Sequence, residues 1–351
     1  MATMKDVADL AGVSTATVSR ALMNPEKVSV STRKRVEEAI VEAGYAPNSL
    51  ARNLRRNESK TIVVIVPDIC DTYFSEIIRG IEDAALEQGY LVLLGDASKH
   101  KGRENAFVNL VFTKQADGMI LLGSDVPFDV SKEEQRNLPP LVMSCEYAPE
   151  LELPTVHIDN LTAAYDIVNH LTSIGHRRVA QISGPRTSPL SNFRHRGYQQ
   201  ALRRSGGALD DGFTAYGDFS FDSGAQLAKE LLSSSLAPTA IFCHNDAMAI
   251  GAMQTVKKMG LRIPEDISVV GFDDIQYSAY TDPPLTTVKQ PRYEIGRESA
   301  LMLLARLKGH SGSIPSKILE AKSVIRESTC PPASALEGSD EHPAEVNPAT
   351  F

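Results

Sequence analysis

The hydrophobic rhythm of the chain changes twice. Up to residue 45 the apolar residues recur at helical spacing and no strand pattern occurs. Thr3 and Asp6 stand at the two ends of a capping-box-like start, with Asp where Glu or Gln is usual. Val7, Ala8 and Ala11 then share one face, and Gly12 permits a sharp turn. Ser14 caps a second helix, Thr15 to about Met23, which Asn24-Pro25 ends. Val13, Val18 and Leu22 are expected to point inward. A third helix, Ser31 to Ala43, carries Val36, Ala39, Ile40 and Ala43 at helical spacing and closes a three-helix core.

Residues 46 to 60, APNSLARNLRRNESK, break that rhythm with polar and basic residues. Pro47 disfavours helix just before it, while Asn48 or Ser49 can cap a short helix after it. Two turns of helix are marginal in isolation, so a helix here needs a partner to order it. By itself the segment also reads as a solvated basic linker.

From Thr61 to about Arg326 apolar runs of strand length alternate with helical patterns. Strands are expected at Thr61 to Pro67, Tyr90 to Leu94, Gly118 to Leu122, Leu141 to Ser144, Val156 to Ile158, Val179 to Ser183, Ala240 to Cys243 and Ser268 to Phe272. A helix is expected over Ser75 to Gln88, with Ile77, Ile78, Ile81, Ala84 and Ala85 on one face and Gly89 as its stop. Such alternation implies parallel sheets covered on both faces. The stretch exceeds one ordinary domain, so two sheets are expected. The tail, 331–351, has no apolar period and is expected to be disordered.

Composition narrows the class. No run of apolar residues is long enough to span a membrane, and the N-terminus lacks an apolar signal region, so a cytoplasmic protein is expected. Cys70, Cys145, Cys243 and Cys330 are too far apart for a metal pair or a disulfide framework. The first three read as small buried hydrophobes. The net charge of −8 is unevenly spread. Residues 1–60 hold ten Lys/Arg against seven Asp/Glu, so a basic head precedes an acidic body, as in chains with a nucleic-acid-binding end. Phosphate-loop, dinucleotide, zinc-protease and nucleophile-elbow motifs are all missing, which argues against an enzyme and against a cofactor or metal. His157, His176 and His244 are isolated and read as structural.

A helix, a glycine turn and a second helix also occur in bundles that bind proteins. The literal string decides between the two. AGVSTATVSRALMNPEKVS closely resembles the head of the LacI/GalR repressor family. That resemblance implies an all-α helix-turn-helix head over 2–45 and a hinge helix over 46–60. Behind them it implies a two-lobed α/β body like a periplasmic sugar-binding protein, over 61–330. The lobes would be 61–159 with 290–318, and 160–289 with 319–330. It also implies a homodimer on double-stranded operator DNA. Thr3, Ser14, Thr15, Ala16, Thr17, Arg20, Asn24, Tyr45, Leu54 and Arg55 would contact that DNA, with Leu54 as a minor-groove wedge.

For the cleft the resemblance implies that Arg194, Asn245 and Asp273 grip effector hydroxyls. Tyr73, Phe74 and Phe219 match the family's aromatic cleft positions, and Asp159 is added on its place after the strand VHI, where open α/β sheets hold ligands. An Arg fork and a carboxylate suit a diol, and rings suit a planar base, so a nucleoside is the expected effector. RRNESKTIVVIVPDICDTYFSEIIRGIE and APELELPTVHIDNLTAA are most similar to the branch of the family that answers to cytidine. Such a repressor would control nucleoside uptake and catabolism genes, together with the cyclic-AMP receptor protein. A purine or pentose effector and, more distantly, a secreted solute-binding protein are the alternatives.

Overall fold

The computed structural model describes residues 2–45, 58–97, 102–123, 138–147, 153–309 and 315–333. Chain contacts divide it into two units, 1–59 and 60–351.

The first unit is helical. Helices α1 (Met4–Ala11), α2 (Thr15–Met23) and α3 (Val30–Ala43) enclose Val7, Ala8, Ala11, Val18, Ala21, Val36 and Ala39. Val13, Leu22, Ile40, Ala43 and Tyr45 pack around that core half-buried. The Thr3 hydroxyl accepts from the Asp6 amide while the Asp6 carboxylate accepts from the Thr3 amide, a complete capping box. Gly12 turns the chain between α1 and α2 at φ +60°, a left-handed conformation that a Cβ would strain.

The second unit holds two parallel sheets, as the βα alternation predicts. The larger contains β1 (Thr61–Val66), β2 (Leu91–Asp96), β3 (Gly118–Leu121), β4 (Leu141–Ser144), β5 (Thr155–Ile158) and β11 (Lys317–Leu319) in the order β11-β5-β4-β3-β1-β2. Burial on both faces explains why β1, an inner strand next to the edge strand β2, reads as a continuous apolar run. Ile62, Val64 and Val66 pack on one face against Ile77, Ile81 and Ala84 of α4 (Phe74–Glu87), where α10 (Arg292–Leu307) also docks. Val63 and Ile65 pack on the other face against Val108 and Val111 of α5 (Glu104–Phe112).

The smaller sheet runs β7 (Thr214–Tyr216), β6 (Val179–Ser183), β8 (Ala240–Cys243) and β9 (Ser268–Val270). Helices α6 (Asn160–Ser173) and α7 (Pro189–Ser205) pair with each other, as do α8 (Phe221–Leu232) and α9 (Asp246–Lys258). Ala180, Ile182, Ile241 and Cys243 pack with Met248, Ala249 and Ala252 of α9 in one core. The opposite face contributes Val179, Ala240 and Phe242 to a core that continues through α6 into the larger lobe.

The chain passes between the sheets three times. It leaves β5 for α6, leaves β10 (Thr287–Lys289) for α10, and leaves β11 for β12 (Lys322–Val324). β10 and β12 pair antiparallel, so two of the passages are bonded to each other. The three-residue strands β7, β10, β11 and β12 carry too few residues to show a period and were not legible in the pattern.

One expectation about cysteine fails. Cys145 and Cys243 are buried, but Cys70 is exposed, because it sits in the turn after β1 and not in a strand. No helix among the described residues is long and apolar enough to cross a membrane. Residues 334–351 of the tail lie outside the described part.

Candidate functional site

In the head, α2 presents a small, polar surface. Ser14, Thr15, Ala16 and Arg20 are exposed and Thr17 is half-buried. Ser14 caps the helix by accepting from the Thr17 amide at 3.2 Å, and the two hydroxyls lie 2.9 Å apart. Short side chains at that end would let the helix approach base edges closely. Exposed Thr3 caps α1. Asn24 closes α2 by donating its backbone N–H to the Arg20 carbonyl at 2.8 Å, and Tyr45 packs half-buried on the head core. Leu54 and Arg55 lie outside the described residues.

In the body, a cavity of about 310 Å³ opens beyond the C-terminal ends of the strands, where open α/β sheets hold their ligands. Tyr73, Phe74, Arg194, Phe219, Asn245 and Asp273 all line it. One lobe contributes Asp68, Cys70, Asp71, Tyr73 and Phe74 after β1, and Cys145 and Glu146 after β4. The other contributes Arg194 from α7, Phe219 after β7, Asn245 after β8, and Asp273, Ile275 and Tyr277 after β9.

Asp159 is a correction. It is absent from the cavity wall because its carboxylate caps α6. Oδ1 accepts from the Leu161 and Thr162 amides at 3.1 and 3.0 Å, and Oδ2 accepts from the Thr162 hydroxyl at 2.6 Å. Its neighbour Asn160 serves the site instead, with Oδ1 accepting from Arg194 Nε at 2.8 Å.

Arg194 is only 4% exposed, so its charge needs the partners it has. It donates to Asn160 Oδ1 and to the His244 carbonyl, and lies over the Phe272 ring. Nη2 is 3.8 Å from Asp273 Oδ1. Burial pushes the Asp273 carboxyl well above the usual range, and Arg194 opposes that shift. The nearby Asp246 is fully buried and accepts from the Ile275 amide at 2.9 Å and from the Ser278 and Thr287 hydroxyls at 2.5 Å each. Burial holds its pKa at about 6. Asp246 thus fastens the Asp273–Ser278 loop to β10.

Asn245 is largely committed to structure. Its Oδ1 caps α9 by accepting from the Met248 amide at 2.9 Å, and its Nδ2 donates to the Phe219 carbonyl at 2.9 Å. One amide hydrogen is left to face a ligand. Phe219 itself adopts φ +70°, Cys145 +72° and Asp273 +117°, three residues of positive φ that line the cavity from both lobes. Backbone strain concentrated in this way is typical of a binding site. Gly184 makes room for the Phe219 ring, since a Cβ there would collide with its edge.

The rings of Tyr73 and Phe74 meet edge to face, 5.1 Å apart at 76°. Burial raises the Tyr73 phenol well above its usual pKa, so it remains a donor, and it gives its hydrogen to Gln290 Oε1 at 3.1 Å. Sequence reasoning missed Gln290, Asn160 and Phe272. They are ordinary residues in ordinary patterns, and only the tertiary arrangement brings them to the site. His244 has a structural place, with ring contacts to Ser183 and Gln181. Among the described residues, no group of side chains could hold a metal ion.

The comparisons agree with this architecture. Residues 3–48 match the family model for bacterial regulatory proteins of the lacI family. Residues 59–323 match the model for periplasmic binding proteins and the sugar-binding domain of the LacI family. The HTH-type transcriptional repressor CytR of Escherichia coli K12 is 57% identical over 93% of this chain and 96% of its own length. The ribose operon repressor of the same strain is 37% identical, over 88% of this chain and 93% of its own. The lac repressor dimer bound to operator and the anti-inducer ONPF aligns with a TM-score of 0.82 at 28% identity, covering 93% of this chain and 99% of that one. A DNA-reading helical head and a two-lobed α/β body with a ligand-sized cleft therefore occur together for a definite reason: the chain belongs to the LacI family of transcriptional repressors.

Proposed function

We propose that the chain is a homodimeric repressor of nucleoside uptake and catabolism genes, and that cytidine is its inducer. The observation that carries this reading is the make-up of the cleft. Tyr73, Phe74 and Phe219 offer rings to a planar base, while Arg194 and Asp273 offer a fork and a carboxylate to a ribose diol, all in one cavity. The strong likeness to CytR points the same way. In this reading each head binds one half of a pseudo-palindromic operator, and the paired hinge segments kink its centre. Cytidine acts by linkage, binding better to the form that does not repress. The cyclic-AMP receptor protein binds beside the dimer. Cytidine would weaken either the DNA contact or the contact with that partner.

Calorimetry with cytidine, adenosine, ribose and hypoxanthine tests the effector. Heat of binding with cytidine in preference to the others is the expected result, and no heat with cytidine removes the assignment. A preference for ribose would favour the pentose alternative, which the likeness to the ribose operon repressor supports. Footprinting with and without cytidine and the cyclic-AMP receptor protein then separates the two routes of release.

A further inference from the structure

Gln290 lies at the passage from β10 to α10, where the chain crosses from the smaller lobe to the larger. It is 3% exposed. Its two polar atoms face different lobes. Oε1 accepts from the Tyr73 hydroxyl at 3.1 Å, at the start of α4 in the larger lobe. Nε2 donates to Asp273 Oδ1 at 2.7 Å, beyond β9 in the smaller lobe. The backbone beneath it is fixed as well, because the Asp273 amide donates to the Val288 carbonyl at 2.8 Å. Gln290 is not part of the cavity lining, yet it touches two residues that are, one aromatic and one acidic.

An apolar side chain could fill this space. A side-chain amide of this length instead supplies an acceptor for the phenol and a donor for the carboxylate at once, on two separate atoms. We propose that Gln290 is a positioning residue that sets the span between the ring that stacks on a base and the carboxylate that accepts from ribose. It thereby makes the cleft selective for a whole nucleoside over a free sugar. The proposal rests on the nucleoside reading of the cleft.

Its physical content is pre-organisation. A free sugar engages the Asp273 side alone and gains nothing from a fixed Tyr73. A nucleoside engages both ends, and each must already stand at the right distance or be ordered on binding. Gln290 also donates to Asp273, which favours the ionised carboxylate, as does Arg194. The other groups facing that carboxylate are Asp246 and Asp71, which disfavour its charge, and the neutral Tyr73 phenol and Cys145 thiol.

The test is titration of the full chain with cytidine and with ribose, in the unaltered protein and in Gln290→Met, Gln290→Glu and Tyr73→Phe, with thermal melting to confirm folding. Gln290→Met is expected to weaken cytidine by about tenfold and ribose by less than about threefold, the loss of a bond to a charged acceptor. Tyr73→Phe should weaken cytidine by a similar factor, and the double variant should be little worse than either, because one bridge is lost in each case. On acidification, Gln290→Met should lose cytidine at a higher pH than the unaltered chain, since its Asp273 takes up a proton more readily. Gln290→Glu, similar in shape but placing a carboxylate against Asp273, should be the weakest binder at neutral pH and recover as pH falls. Equal losses for cytidine and ribose with no change in the pH profile would overturn the proposal, as would additive effects of Tyr73→Phe and Gln290→Met. An unaltered chain that ignores cytidine would instead overturn the nucleoside reading on which it rests.

Discussion

The Arg194 guanidinium lies over the Phe272 ring, 3.7 Å from its centre. That ring is fully buried, so the contact is made away from water, where a cation–π interaction is strongest. The stacked plane also directs the fork toward Asn160, the His244 carbonyl and Asp273.

Arg194→Lys should therefore behave as a severe change. A lysine keeps the charge but can neither stack flat nor make the forked bonds. Disturbing a buried pair of this kind costs on the order of 3 kcal/mol. The expected outcome is loss of measurable cytidine binding by calorimetry and a lower melting temperature of the body.

Asp273→Asn isolates the acceptor from the backbone. At φ +117° most side chains would be strained, whereas Asn tolerates positive φ better than most residues. The variant should fold, repress and bind operator, but fail to respond to cytidine in a reporter assay. Full induction would show that the carboxylate is not the diol acceptor.

His176 predicts an acid sensitivity of known sign. Its ring is within 2.8 Å of the Thr239 hydroxyl, 3.1 Å of the Ser268 hydroxyl and 2.9 Å of the Cys330 carbonyl, and burial lowers its pKa to about 4. The native ring stays neutral while an unfolded histidine protonates near pH 6.5. Its contribution is thus intact above about pH 6.5 and is lost as pH falls toward 4, by no more than about 3 kcal/mol. Asp246 works the other way, because its raised carboxyl costs the native state stability as pH rises toward about 6. Denaturant titrations of the unaltered chain and of His176→Gln separate the two, and the difference between them should shrink on acidification. A constant difference would contradict the buried neutral ring.

Leu54→Ala addresses the hinge. If Leu54 wedges between base pairs, its loss removes part of the grip on the specific, kinkable site and leaves electrostatic binding to other DNA unchanged. Operator affinity should fall in a filter-binding or anisotropy assay, with cytidine affinity unaltered. Unchanged operator affinity would remove the wedge.

Local chemistry made a good part of this protein legible from its sequence. The Thr3–Asp6 capping box, the Gly12 turn, the Ser14 cap and the two-faced run Thr61–Val66 each depend on residues within a few positions of one another. Such signals survive in a bare sequence because helix and strand periods are local. The family string added the identities of the cleft residues, and six of the seven named lie on the cavity wall.

What the sequence could not decide is which of several identical-looking groups faces the cavity. Asp159 and Asp273 both follow a strand, yet one caps a helix and the other stands in the cleft at positive φ. An aspartate after a strand serves either purpose, and the choice depends on where the next helix begins and what approaches from the other lobe. Cys70 and Cys145 both reach the cavity, yet Cys70 is exposed in a turn and Cys145 is buried. Gln290 carries no motif at all, and its meaning exists only because Tyr73 and Asp273 arrive on either side of it. Short-range order was written in the residues themselves, whereas the site required parts of the chain some 200 residues apart to meet, and only the packing of two lobes about three crossing strands brings that about.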